Sequence, residues 1–77
     1  MVKMFTTPTC VYCATLKEFL KKYNIEFQEI DVAKDIEARK EMVEKSGQLG
    51  VPVTEINGQV VVGFNREKIS ELLNIKE

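Results

Sequence analysis

Two cysteines, Cys10 and Cys13, stand three positions apart and are the whole cysteine complement of this 77-residue chain. That spacing constrains the fold more than any other feature. Small domains with inadequate cores are stapled by several disulfides spread along the sequence, and one pair this close staples nothing distant. The chain must hold together by packing, although a domain of this length buries only about 60–65% of its extended surface. Hydrophobic residues make up 44% against 30% charged, which suits a packed globular domain rather than a disordered one. A single domain over 1–77 is what the length allows.

Local patterning divides the chain into seven elements. Val2 to Thr6 is β-branched and aromatic and stops short of Pro8, so it reads as a strand. Leu16, Phe19, Leu20 and Tyr23 recur at i, i+3, i+4 and i+7, which predicts a helix from about Val11 to Tyr23, ending near Asn24. Glu26 to Ile30 alternates as a strand does. Asp35 to Ser46 suits a helix with Ile36, Met42 and Val43 as its apolar side, closed by Gly47 and Gly50. Val53–Ile56 and Gln59–Val62 flank Asn57-Gly58, a pair suited to a two-residue type I′ turn because both central residues need positive φ. Asn65 is placed to cap a last helix carrying Ile69, Leu72 and Leu73.

The order strand, helix, strand, helix, strand, strand, helix predicts an α/β fold. The first two strands, joined through a helix, must be parallel with a right-handed crossover. The hairpin adds two antiparallel strands. A four-stranded mixed sheet with helices on both faces buries every apolar face named.

The formal net charge is −1, with acids and bases interleaved. Nothing electrostatic therefore argues for nucleic acid or an anionic membrane as partner. Met1-Val2-Lys3-Met4-Phe5 lacks the apolar run of a signal peptide, and no stretch approaches the ~20 apolar residues of a membrane span. A cytoplasmic address is expected, where a lone cysteine pair is more often catalytic or metal-binding than structural. No sizeable unexplained apolar stripe demands a dimer, so a monomer is expected.

Thr9-Cys10-Val11-Tyr12-Cys13 falls where the first strand hands over to the first helix. On a helix this spacing sets the two sulfurs one turn apart. Cys10 would face the unpaired N–H groups and the positive end of the helix dipole, which favour thiolate, the nucleophilic form. Cys10 would then attack a partner disulfide, and Cys13, deeper and better shielded, would resolve the mixed disulfide. Other readings stand beside this one. A zinc half-site has the right spacing, but zinc takes four ligands. With no histidine and no third cysteine, it would close only across a dimer or with carboxylates. An iron–sulfur cluster bridging two chains, two inert core cysteines, and a redox-inactive adaptor are further alternatives. Met4 through Leu16 carries no charge, which fits a buried strand followed by a neutral docking rim formed by Pro8, Thr9, Val11 and Tyr12.

Together, Thr9-Cys10-Val11-Tyr12-Cys13, Val51-Pro52-Val53, Asn57-Gly58 and Gly63 resemble the glutaredoxin family of the thioredoxin fold, in order and spacing over essentially the whole chain. The resemblance implies a dithiol–disulfide oxidoreductase with no bound cofactor, whose redox centre is the Cys10–Cys13 pair itself. It implies that Pro52 follows a cis peptide bond beside the cysteines. Val51 would offer backbone hydrogen bonds to a bound peptide or glutathione, as an added strand does. Tyr12 would flank the site, and Gly63 and Phe64 would border the substrate groove.

Departures from the pattern bear on the reductant. Val11 stands where glutaredoxins carry proline, and Thr7 where many glutathione users carry lysine. Gly50-Val51-Pro52 replaces Thr-Val-Pro, and Gly63-Phe64-Asn65 replaces a Gly-Gly segment followed by an acidic residue. The Gly-Phe version resembles the NrdH-redoxins, which take electrons from thioredoxin reductase; small clostridial glutaredoxin-like proteins share Ser46-Gly47-Gln48 and Gly50-Val51-Pro52-Val53. The expected partners are protein disulfides such as those of ribonucleotide reductase or a peroxidase. Thioredoxin reductase is the expected electron donor, with glutathione the alternative. Tryptophan is absent, which sets the chain apart from thioredoxin and its Trp-Cys-Gly-Pro-Cys site.

Overall fold

The computed structural model describes residues 2–76; positions 1 and 77 of the expected domain lie outside the described residues. Its elements are β1 (Val2–Thr6), α1 (Val11–Lys22), β2 (Gln28–Asp31), α2 (Ile36–Ser46), β3 (Val53–Ile56), β4 (Gln59–Val62) and α3 (Arg66–Leu73). The strands form one sheet in the order β2-β1-β3-β4. β1 and β2 run parallel, with Lys3 opposite Gln28 and Thr6 opposite Asp31. β3 runs antiparallel to β1, with Phe5 opposite Val53, and β4 runs antiparallel to β3. This is the expected mixed sheet with three helices.

Alternation along β1 sends its side chains to two cores. Val2 and Met4 pack with Leu16, Phe19 and Leu20 of α1, Ile69 of α3, and Ile56 and Val61. Phe5 points the other way, against Val53, Val32 and the α2 residues Ala38 and Met42. β1 is buried on both faces at Val2, Met4, Phe5 and Thr6, and the half-buried Lys3 interrupts its apolar run. Burying side chains such as Phe5, Leu16 and Met42 completely stabilises the fold by about 1.5–3 kcal/mol each.

Three local readings need correction. The second strand begins at Gln28, not Glu26, because the chain is still closing α1. Asn24 takes a left-handed φ of 57°, and the N–H of Ile25 donates to the carbonyl of Leu20 at 2.9 Å. Ile25 and Phe27 pack on the core from outside the ladder, while Asp31 joins it opposite Thr6. In α2, Ile36 is 66% exposed. At about 100° per residue, six positions carry Ile36 roughly 120° away from Met42, and Ala38 faces the sheet instead. Finally, Gly47 alone caps α2, with φ 74° and its N–H on the carbonyl of Val43 at 2.8 Å. Gly50 lies beyond in the loop, clamped by the side-chain amide of Gln48.

The hairpin forms as expected. Asn57 and Gly58 have φ of 50° and 88°, and Ile56 pairs with Gln59 across the turn. The hairpin sets the start of β3 and the end of β4 beside the C-terminal end of β1, where the site lies.

Candidate redox site

β1 ends at Thr6, and a turn over Pro8 and Thr9 follows. The N–H of Cys10 donates to the carbonyl of Thr7 at 3.3 Å. Proline in such a turn presets the backbone and withholds no needed donor. Cys10 is the N-cap of α1, with extended backbone, and its Sγ accepts the N–H of Cys13 at 3.0 Å. A sulfur thus does what a serine or aspartate oxygen does at other helix starts. The last turn of α1 holds Lys21 and Lys22, as the negative end of the helix dipole favours, while the first turn holds no acidic residue.

Cys10 and Cys13 are joined as a disulfide, with Cα atoms 5.2 Å apart. Their surroundings differ. Cys10 is half-buried, whereas Cys13 is 2% exposed, on the buried side of α1. Between them, Val11 and Tyr12 are 76% and 67% exposed. Pro8 and Thr9 are exposed as well. The uncharged stretch therefore splits in two: Met4, Phe5, Thr6 and Leu16 are core, and Pro8 to Tyr12 form an uncharged rim around Cys10.

The Val51-Pro52 peptide bond is cis, as the resemblance implied. Continuing the β1–β3 register places Pro52 level with Thr6 and Val51 level with Thr7. The N–H of Gly63 donates to the carbonyl of Pro52 at 2.8 Å, which ties the end of β4 to the same place. Phe64 is half-buried and sets its ring against Phe19, with centroids 5.6 Å apart in an edge-to-face arrangement. It packs on the α1–α3 core.

A cleft of about 350 Å³ opens beside the disulfide, lined by Thr6, Thr7, Pro8, Cys10, Cys13, Ala14, Lys17, Glu29 and Asp31. Of the residues read from sequence, Cys10, Cys13, Pro8 and Thr7 reach this cleft; Val51, Pro52 and Gly63 lie at the same end of the sheet without lining it. Its charged residues were missed. The Nζ of Lys17 lies 3.0 Å from an Oε2 of Glu29, which also accepts the Thr6 hydroxyl at 3.2 Å. Lys17 sits four residues after Cys13, a helical spacing that could have flagged it. Glu29 and Asp31 reach the cysteines only through the parallel register of β2 on β1. Among the described residues, no group of three or more histidine, cysteine, aspartate or glutamate side chains is placed to hold a metal ion. None of the helices is long and apolar enough to cross a membrane.

Residues 2–61 match the glutaredoxin family model. The chain is 47% identical over 73 residues to the glutaredoxin-like 8.6 kDa protein in the rubredoxin operon of Clostridium pasteurianum, covering 95% of this chain and 97% of that protein. It is 34% identical over 62 residues to glutaredoxin 3 of Escherichia coli, covering 80% of this chain and 75% of that one. A thioredoxin-like protein crystallised as a point mutant superimposes with a TM-score of 0.92 at 39% identity, over 97% of this chain and 96% of the other. The architecture above is the thioredoxin-like fold.

Proposed function

This chain belongs to the glutaredoxin family, and from that premise we propose that it reduces protein disulfides through Cys10 and Cys13, drawing electrons from thioredoxin reductase rather than glutathione. The family generally performs thiol–disulfide exchange, and the asymmetry of the pair supports the assignment of roles. Cys10 caps α1 and receives a backbone N–H, which stabilises its thiolate after reduction. It attacks the partner disulfide, and the buried Cys13 attacks the resulting mixed disulfide to release the reduced partner.

Val51 and Pro52 shape the groove where an extended segment of the partner adds alongside the sheet. Pro8, Thr9, Val11 and Tyr12 form its uncharged rim, and Gly63 and Phe64 its border. The preference for thioredoxin reductase is supported by Thr7, which offers no cation for a glutathione carboxylate. Phe64 supports it too, because it stands where glutathione users carry a second glycine and takes up room beside Gly63.

The experiment is NADPH consumption with a disulfide substrate, coupled once to thioredoxin reductase and once to glutathione with glutathione reductase. Turnover only in the first arm is expected. Efficient turnover with glutathione would overturn the reductant assignment and leave an ordinary glutathione-dependent glutaredoxin. Turnover in neither arm would overturn the redox reading, and one zinc or iron per two chains would then point to a metal-bridged dimer.

A further inference from the structure

Resolution of a mixed disulfide requires Cys13 to ionise, yet Cys13 is 2% exposed. Burial disfavours the thiolate. Cys10 receives a backbone N–H on its sulfur, and among the described residues no such donor is seen for Cys13. The charged side chains that bear on the buried thiol line the cleft on which it opens.

The charged groups lining that cleft are Lys17 from α1 and Glu29 and Asp31 from β2; β3, β4 and α3 contribute none. Two carboxylates thus face a thiol that must become negative. Lys17, one turn beyond Cys13 on the same helix, holds an oxygen of Glu29 at 3.0 Å, and the buried Thr6 hydroxyl donates to that same oxygen. Asp31 accepts the N–H of Ala33 at 2.9 Å.

The structure assigns to Lys17 a positioning role in the second half-reaction, in which its ammonium masks Glu29 and favours the thiolate of Cys13. This inference rests on the redox reading above. In the step, the Cys13 thiol loses its proton to solvent through the open cleft, and its sulfur bonds to the Sγ of Cys10. The bond from Cys10 to the partner sulfur breaks, its electron pair leaves on that sulfur, and the partner thiolate takes up a proton. The cysteine pair ends oxidised and the partner reduced by two electrons. Losing Lys17 acts twice in one direction, since it removes a cation and uncovers a carboxylate.

Rapid mixing of the fully reduced protein with a chromogenic aromatic disulfide separates the two halves. The first thiolate released reports attack by Cys10, and the second reports resolution by Cys13. With Lys17→Gln, the midpoint of the second phase should rise by about one pH unit, slowing it about tenfold at pH values below the midpoint, while the first phase stays within about twofold. Lys17→Arg should keep the wild-type profile, which separates charge from packing. Adding Glu29→Gln to Lys17→Gln should recover more than half of the shift.

An unchanged second phase in Lys17→Gln would overturn the inference. So would equal slowing of both phases, or a double variant no faster than the single one. A wild-type protein that releases no thiolate would instead overturn the redox reading itself.

Discussion

Cys10 and Cys13 carry the same functional group and differ in what surrounds it: a helix start and partial exposure for one, the core side of α1 for the other. The variants should separate accordingly. Cys10→Ser is expected to abolish reduction of a small disulfide, and surviving turnover would sink the assignment. Cys13→Ser should retain attack but accumulate a covalent adduct, visible by mass spectrometry and reversed by dithiothreitol. Thr54 shows a residue-scale fact invisible in sequence. It is fully buried opposite Met4 and Val61, and its hydroxyl has no hydrogen-bond partner among the described residues. An unsatisfied buried polar group costs about 1–3 kcal/mol, so Thr54→Val, nearly the same shape, should raise stability by about 1 kcal/mol. A lower urea midpoint with an unchanged slope would contradict this.

Among elements, the helices are held at their starts by three different side chains. Cys10 caps α1, Asp35 caps α2 through the N–H of Ala38, and Asn65 caps α3 through that of Lys68. Asp35→Ala and Asn65→Ala should each lower stability by about 1 kcal/mol, and the glycine versions by only a few tenths. Denaturant titration checks this; alanine and glycine versions that match would mean that the side-chain oxygens contribute nothing. Elements set by local chemistry were legible in the sequence. The Asn57-Gly58 turn, the Asn65 cap and the face of α1 were all read as they stand. Those set by neighbours were not. The start of β2 depends on how α1 unwinds and where β1 offers a partner, and the side of α2 that is buried depends on how it lies against the sheet.

At the scale of the whole molecule, a charge network ties α2 to the sheet. Glu41 accepts Lys3 at 2.6 Å and Lys45 at 3.0 Å, and Lys45 reaches Glu55 at 2.8 Å. Lys3 and Glu55 are partners across β1 and β3, so the chain of charges bridges two strands and the helix above them. The hydrogen bond from Lys3, then that from Lys45, holds the Glu41 carboxyl below its ordinary value. The hydrogen bonds to Glu55 and then Glu41 hold the Lys45 ammonium above its own. For Glu41, the stabilisation is complete above the ordinary carboxylate value of about 4.3 and is lost as pH falls through the lowered folded value. For Lys45, it is complete below the ordinary lysine value of about 10.4 and is lost as pH rises through the raised one. Stability from this network should therefore be flat between about pH 5 and 10. The side chain of Glu41 is 37% exposed, so Glu41→Gln should cost under about 1 kcal/mol and less in high salt. The difference from wild type should vanish in acid; one that persists at the lowest pH would show that packing, not charge, is lost.

The amino-acid sequence alone determined the order of elements, the hairpin, the cysteine pair at a strand-to-helix junction and, through its motifs, the family, because these depend on residues close together along the chain. Only the tertiary structure decided that Lys17, Glu29 and Thr6 share a cleft with the cysteines, that Phe64 packs on Phe19, and that Ile36 is left in solvent. Such outcomes depend on register and on how helices lie on the sheet. A one-residue slip of β2 against β1 would turn Glu29 to the opposite face and take Ile30 off the core on which it packs.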